Sequence, residues 1–511
     1  MCPTSPERNP ADVNGKTYDY VIVGGCVLAS RLSQDPLVSV LLHEKGRVQD
    51  SITSRILLTS QNLGMGEGLQ VQDTRWTETM PGANGRQNQL YGGESIGGGS
   101  RIIAMFWTRG SPADFASWVE MGSYDWSWDK SELYFRKLES AVAHPKARFR
   151  GHDGDHSFLI SFPFQWNSFL EKAARKVGLP IDKDCNDPDA PVMGYFHLNV
   201  ATSSRGERVS EITAILKQGL AIQRQDRLTV CTGVVASRLE VDSRGSLVTG
   251  VELIKELPAV GATFSDHYSF LIMLELPKKR RCIFWNPLGV VVKAREADGT
   301  GNLDASNSRN TREVEIMLMP INTLGRGAPG HCVFSFYPTL VQPHGKDRIE
   351  ISSRDPLAHP RITYPMNKPG ILKEYEKMAR TDCDGGRMGT LALTTTGIEA
   401  APEKMHVEVK PSKNKSWRDV TDDEIDNYVR RVAHISLHYS CTCPMSNDDK
   451  TGVVDRRLLV HGFKNLRIAD ASVCPKIMSG HTMAPVMMVA ARCADFIKEM
   501  WQLDISDDLD P

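Results

Sequence analysis

The chain has 511 residues, 41% of them hydrophobic and 24% charged, which excludes a disordered chain and a small scaffold and allows a core without disulfide or metal staples. Lysine plus arginine total 61 against 62 acids, a net charge of 61 − 62 = −1, so no field gathers phosphates or anionic lipid; neither nucleic acid nor a membrane is an expected partner. The 11 cysteines are an odd, scattered set that reads as reduced, and Cys441 and Cys443 lack the spacer of a zinc pair, so no metal is expected.

Residues 1–16 carry Pro3, Pro6 and Pro10 and no apolar run of signal or membrane length, which predicts a disordered tail on a soluble, cytoplasmic protein. Tyr18-Asp19-Tyr20-Val21-Ile22-Val23 then reads as a buried strand ending in Gly24-Gly25, and residues 27–32 as a helix. A second strand, residues 39–44, ends in Glu44, and 44 − 24 = 20 is the spacing of a dinucleotide-binding βαβ unit whose acid takes the ribose hydroxyls. The turn departs from G-x-G-x-x-G: the middle glycine, which lets backbone approach a pyrophosphate, is Cys26. On these residues alone a plain buried βαβ unit stands equally open.

Residues 92–110 hold a second glycine-rich loop, Gly97-Gly98-Gly99-Ser100, able to wrap a cofactor with backbone amides or to act as a lid. Helical spacing follows over 114–140, with Trp118, Trp126 and Trp128 as core aromatics. Residues 228–232, 235–241 and 248–254 read as a three-stranded β-meander, and residues 290–365 as a second, antiparallel sheet. Residues 422–431 form a predicted helix leading to His438 and then Cys441-Thr442-Cys443-Pro444-Met445. Residues 466–472 read as a strand and turn, His481 follows, and a small-residue helix over 486–497 closes the chain. Two histidines on loops at one site can take a hydroxyl proton and hold the alkoxide, although a histidine is more often a packed or surface residue than a catalyst.

Taken in order, these segments resemble the glucose-methanol-choline (GMC) flavin oxidoreductases. The matching stretches are the βαβ unit over 21–46, the loop 97–105, Thr108-Arg109-Gly110 with Asp114 and Trp118, and residues 257–261 with Asp266-His267. They continue through Val341-Gln342-Pro343-His344, Asp355-Pro356, residues 438–445, Val453-Val454-Asp455, Asp470-Ala471-Ser472 and His481-Thr482-Met483-Ala484-Pro485. The resemblance implies an α/β fold: a discontinuous Rossmann-like FAD lobe from residues 17–110, 205–262 and 452–505, and an α+β substrate lobe on an antiparallel sheet from 111–204 and 263–451. It implies FAD-dependent oxidation of a small-molecule alcohol, with His438 as the catalytic histidine and His481 as its partner. For the cofactor it implies Gly24 and Gly25 at the phosphates, Glu44 at the ribose, Ala236 near the adenine, and Gly98, Ser100, Asp470, Ala471 and Met483 toward the ring.

Four departures bear on this. The first glycine turn is short by several residues, and the family's glycine signature after residues 251–254 is absent, so FAD binding is expected to be weakened. Ile103 stands where the family usually has Asn, and Cys441 where Gly is usual. Two other readings stand beside the oxidoreductase: a flavin-free relative using the old pocket for elimination, isomerisation or cyclisation, and an inactive or mis-spliced remnant. Substrate identity, electron acceptor and oligomeric state are open at this level.

Overall fold

The computed structural model describes residues 7–48, 52–55, 72–154, 159–161, 167–250, 259–275, 290–294, 314–319, 333–364, 373 and 421–501, apart from single positions and one pair within them (177, 183, 192, 204, 238, 271, 354 and 356–357). Residues 251–258, where one glycine signature is expected, lie outside the described residues, as do Pro356 and the last four residues of the 248–254 strand.

A parallel four-stranded sheet is built from β1 (Glu7–Arg8), β2 (Tyr20–Val23), β3 (Val40–Glu44) and β4 (Leu228–Thr232), in the order β1-β4-β3-β2. Helix α2 (Cys26–Leu32) connects β2 to β3 and buries Cys26, Val27, Ala29 and Leu32 against the sheet. This corrects two expectations. Part of the tail is ordered: Asn9 and Asp12 form a capping box on the short helix α1 (Pro10–Val13), and Val13 packs on Leu41 and Cys231. Residues 228–232 belong to the parallel sheet, not to a meander, because Leu228, Val230, Cys231 and Thr232 are all buried, as a strand covered on both faces requires. The remaining pair, β5 (Glu240–Val241) and β6 (Val248–Gly250), is an antiparallel ribbon whose Val241 and Val248 pack on the main core.

A larger sheet is mostly antiparallel. It includes β7 (Tyr268–Ser269), β8 (Val290–Ala294), β9 (Val314–Met319), β10 (Val333–Leu340) and β11 (His434–Ile435), with β10 paired to both β9 and β7, and β7 to β11. The sheet expected over 290–365 is therefore present, while Ile349–Glu350 pairs with Arg361–Ile362 as a separate ribbon.

The expected helix over 114–140 is two, α3 (Pro112–Glu120) and α4 (Trp128–Leu138); Trp118 and Trp126 are fully buried. Helix α5 (Asp422–Val432) starts at a Thr421/Glu424 capping box. The closing helix α6 (Met483–Trp501) begins three residues before the predicted start, and Pro485 is tolerated in its first turn because no backbone donor is lost there. Its Ala484, Ala490, Ala491 and Ala494 are buried, and small side chains let α6 lie close on α2 and α4. Residues 466–472 are not a strand. Their backbone serves residues 441–445: Cys441 and Cys443 donate to the Ala471 and Ser472 carbonyls at 3.1 and 2.8 Å, and Ala471–Val473 is a 3-10 turn. One core joins Ile22, Leu42, Trp107, Leu228, Val454 and Met488, so the first and last segments of the chain share an interior.

Candidate functional site

The first glycine turn lies at the end of β2. Gly24 and Gly25 have φ of +67° and +87°, a region only glycine enters without strain, and a Cβ on Gly24 would meet nothing within 4 Å. Glu44, ending β3, accepts the Gly46 N–H at 2.9 Å, and its carbonyl accepts Val234 N–H at 3.1 Å, which draws the loop with Ala236 alongside. Burial pushes the Glu44 carboxyl up. Gly46 is a residue the sequence reading missed: a Cβ there would lie 2.2 Å from the Glu94 carbonyl, so only glycine lets the second strand's exit pass the glycine loop.

In that loop Gly97 and Gly98 have φ of +94° and +46°, and neither Gly98 nor Gly99 has an atom within 4 Å of a built Cβ. The Ser100 hydroxyl is committed to the loop itself, donating to the Gly97 carbonyl at 2.6 Å and accepting Glu211 N–H at 3.0 Å. Glu211, half-buried, is pushed up to about 7, chiefly by desolvation. The Ser95 hydroxyl is buried without a hydrogen-bond partner. Asp470 accepts Ser472 N–H at 2.8 Å and is exposed, with Ala471 half-buried beside it. Open glycines, a strand-end carboxylate and an orphaned buried hydroxyl form a donor set that fits a dinucleotide at its ribose and ring ends.

The histidines sit in a cavity of about 540 Å³ lined by His438, His481, Ile103, Phe106, Met317, Leu437 and Met483, among others. The approach to His438 passes through Leu437 at φ +62°, and Cys441 lies at +70° with its side chain fully buried. His438 N–H donates to Asp266 at 2.8 Å, and burial pushes that carboxyl up to about 7. The His481 backbone N–H donates to the Thr108 hydroxyl at 2.7 Å. Asp114, which caps α3 through Ser111, also accepts Ser479 N–H at 3.1 Å and fixes the backbone just before His481.

Four groups form one chain. His267 Nε2 lies 2.9 Å from the Met478 carbonyl, and His267 Nδ1 lies 2.8 Å from His438 Nδ1. His438 Nε2 lies 3.2 Å from His481 Nδ1, and His481 Nε2 lies 3.0 Å from Glu315 Oε1. A carbonyl only accepts, so His267 carries its proton on Nε2 and offers a bare Nδ1. His438 therefore donates through Nδ1 and keeps Nε2 bare, and His481 points an N–H at that bare nitrogen. Burial holds His267 down at about 4 and His438 well below the usual imidazole range, so both stay neutral.

The structure thus brings His438 and His481 together, and adds His267 and Glu315, to which the sequence reading gave no role. Glu315 had a signal: it is the one acid within the apolar strand Val314-Glu315-Ile316-Met317-Leu318-Met319, and period two places it on the face of Met317, which lines the same cavity.

Two family models described as GMC oxidoreductase match the chain, one over residues 18–266 and the other over 343–490. The chain is similar to oxygen-dependent choline dehydrogenases of Paraburkholderia phytofirmans and Xanthomonas euvesicatoria pv. vesicatoria, each 28% identical, over 94% of this chain and 94% and 95% of theirs. Its fold is similar to that of a pyridoxine 4-oxidase from Mesorbium loti, with a TM-score of 0.76 at 21% identity over 94% of this chain and 99% of that one. A formate oxidase of Aspergillus oryzae gives a TM-score of 0.77 at 19% identity over 96% and 99%.

Proposed function

The chain belongs to the GMC oxidoreductases and is an FAD-dependent alcohol oxidoreductase; from that premise we propose that His438 is its general base and His481 the group that holds the alkoxide. The observation that carries this is the convergence of His438 Nε2 and His481 Nδ1, 3.2 Å apart in one cavity, with opposite hydrogen-bonding characters. An alcohol oxygen that reaches both nitrogens replaces their mutual hydrogen bond: it gives its proton to the bare His438 Nε2 and receives the His481 Nδ1–H, so one nitrogen takes the proton while the other stabilises the alkoxide left behind. FAD, when bound, supplies the hydride acceptor. Gly24 and Gly25 would hold its phosphates, Glu44 its ribose, the loop at Ala236 its adenine, and Gly98, Ala471 and Met483 its ring end. Ser100 acts one step back, pinning the glycine loop to Glu211. Asp470 shapes the turn that presents Ala471.

The test is anaerobic mixing of the FAD-loaded protein with a panel of small alcohols while flavin absorbance is followed. Bleaching that falls by about 10²–10⁴-fold in His438→Ala supports the assignment. Bleaching unchanged in that variant removes it.

A further inference from the structure

We propose that the alcohol taken by this cavity is uncharged with an apolar body, unlike the cationic alcohol for which the curated relatives are named. This narrows the alcohol-oxidising reading and rests on it. The charge of this wall follows from the protons its hydrogen bonds hold. The chain from the Met478 carbonyl through His267, His438 and His481 to Glu315 contains four hydrogen bonds, and each needs one proton. Three neutral imidazoles bring three. The fourth either makes one imidazole cationic beside an ionised Glu315 or protonates Glu315 itself, and in both cases the four side chains sum to zero charge. Glu315, the acid facing the cavity, is therefore already neutralised by its own partner and offers no counter-charge to a ligand.

Among the described lining residues Glu315 is the one acid: Ile102, Phe106, Met317, Val341 and Leu437 are apolar, and the polar side chains of Asn88, Gln89, Tyr91, Thr339, Ser436 and Thr482 are uncharged. His434, in the same wall, is held neutral by desolvation and bonded to the Tyr337 hydroxyl. Two of the three aromatic rings in this lining, Phe106 and Tyr337, are engaged with the imidazoles of His481 and His434, at centroid distances of 4.7 and 5.0 Å, and Tyr91 is the third. An ammonium group would lose its hydration here without gaining a net counter-charge, whereas an apolar body of the same shape has no such hydration to lose.

The experiment compares choline with 3,3-dimethylbutan-1-ol, which replaces its nitrogen cation by carbon. Calorimetric titration of the dithionite-reduced, FAD-loaded protein reads binding without turnover. The neutral isostere is expected to bind at least about tenfold more tightly. Equal or tighter binding of choline, or no saturable binding of the isostere, overturns the proposal. In His481→Ala the Glu315 carboxylate loses its counter-proton, so the preference should fall by about tenfold; an unchanged preference overturns the neutralisation. Anaerobic flavin bleaching by the isostere reports separately on oxidation. Tighter binding without bleaching upholds the charge assignment and removes the alcohol-oxidising reading.

Discussion

Replacing His267 by Phe keeps a ring in its fully buried site but removes both nitrogens, and its effect on the reaction can be worked from the hydrogen-bond chain. The His438 Nδ1–H loses its only acceptor in that chain, at 2.8 Å, and the Met478 carbonyl loses a donor. An unpaired buried donor costs about 1–3 kcal/mol, roughly 5–150-fold in a rate that depends on holding that proton on Nδ1. Once it is no longer held, the proton transfers to Nε2 and the base is blocked. We expect kcat/KM to drop by about 10–100-fold with flavin content unchanged. His267→Gln is the informative partner, because its amide carbonyl can accept from His438 and its NH₂ can donate to Met478; it should recover most of the loss. Rates come from anaerobic flavin bleaching, and nitrogen NMR of histidine-labelled protein reads the His438 tautomer directly. If Phe and Gln lose rate equally, or Phe stays within about twofold of wild type, the tautomer argument is wrong.

Glu44→Ala should weaken FAD binding by roughly 5–12-fold, about 1–1.5 kcal/mol for one lost ribose contact, measured by flavin fluorescence quenching; unchanged affinity would place the ribose elsewhere. Wild-type affinity should itself be low enough for gel filtration to strip cofactor, since each phosphate hydrogen bond forgone at the shortened turn is worth about 1.5–3 kcal/mol. Thermal denaturation across pH should show two opposed limbs. His267 and His434, pushed down to about 4 by burial, stay neutral when folded, so their contribution is complete above about 6.5 and is lost as pH falls toward 4. Asp266, pushed up to about 7, is protonated when folded; its contribution is complete below about 3.8 and is lost as pH rises through 7, and Asp266→Asn should flatten that upper limb. Arg109→Ala breaks a pair with Glu139 in which both side chains are fully buried, and should lower stability in urea by about 3–5 kcal/mol while leaving activity per folded, flavin-loaded molecule intact.

The βαβ unit was legible because everything that defines it is local: two apolar runs, a glycine turn and an acid at fixed spacing. Both histidines were legible only through the company they keep, since nothing in residues 434–445 or 478–485 alone fixes where a ring points. His267 and Glu315 were harder still. They lie 171 and 166 positions from the rings they bond, and tertiary structure alone makes those neighbours. The predicted meander differs from the parallel strand observed because short-strand spacing is the same in both arrangements, whereas the unbroken run Leu228-Thr229-Val230-Cys231-Thr232 has the character of a strand inside a parallel sheet. The unpredicted order at residues 7–13 comes from Val13, one apolar side chain that found Leu41 and Cys231.

The short β2 ends the parallel sheet, and among the described residues no strand pairs with its outer side. Tyr20 and Gly24 donate inward to the Ser39 and His43 carbonyls, so the alternate amides of Val21 and Val23 point away from β3, and their side chains are 47% and 59% exposed. The Gly24-Gly25 turn is thus a cantilever, held from one side and loaded at its tip. Ordering of the tip by a dinucleotide and fraying of the strand beneath it become a single equilibrium. Hydrogen exchange at Tyr20 and Gly24, whose amides bond into β3, should therefore act as a gauge of cofactor occupancy, fast in stripped protein and slowing as FAD is added, while Val40, whose amide bonds the Arg227 carbonyl on the far side of β3, holds its protection throughout.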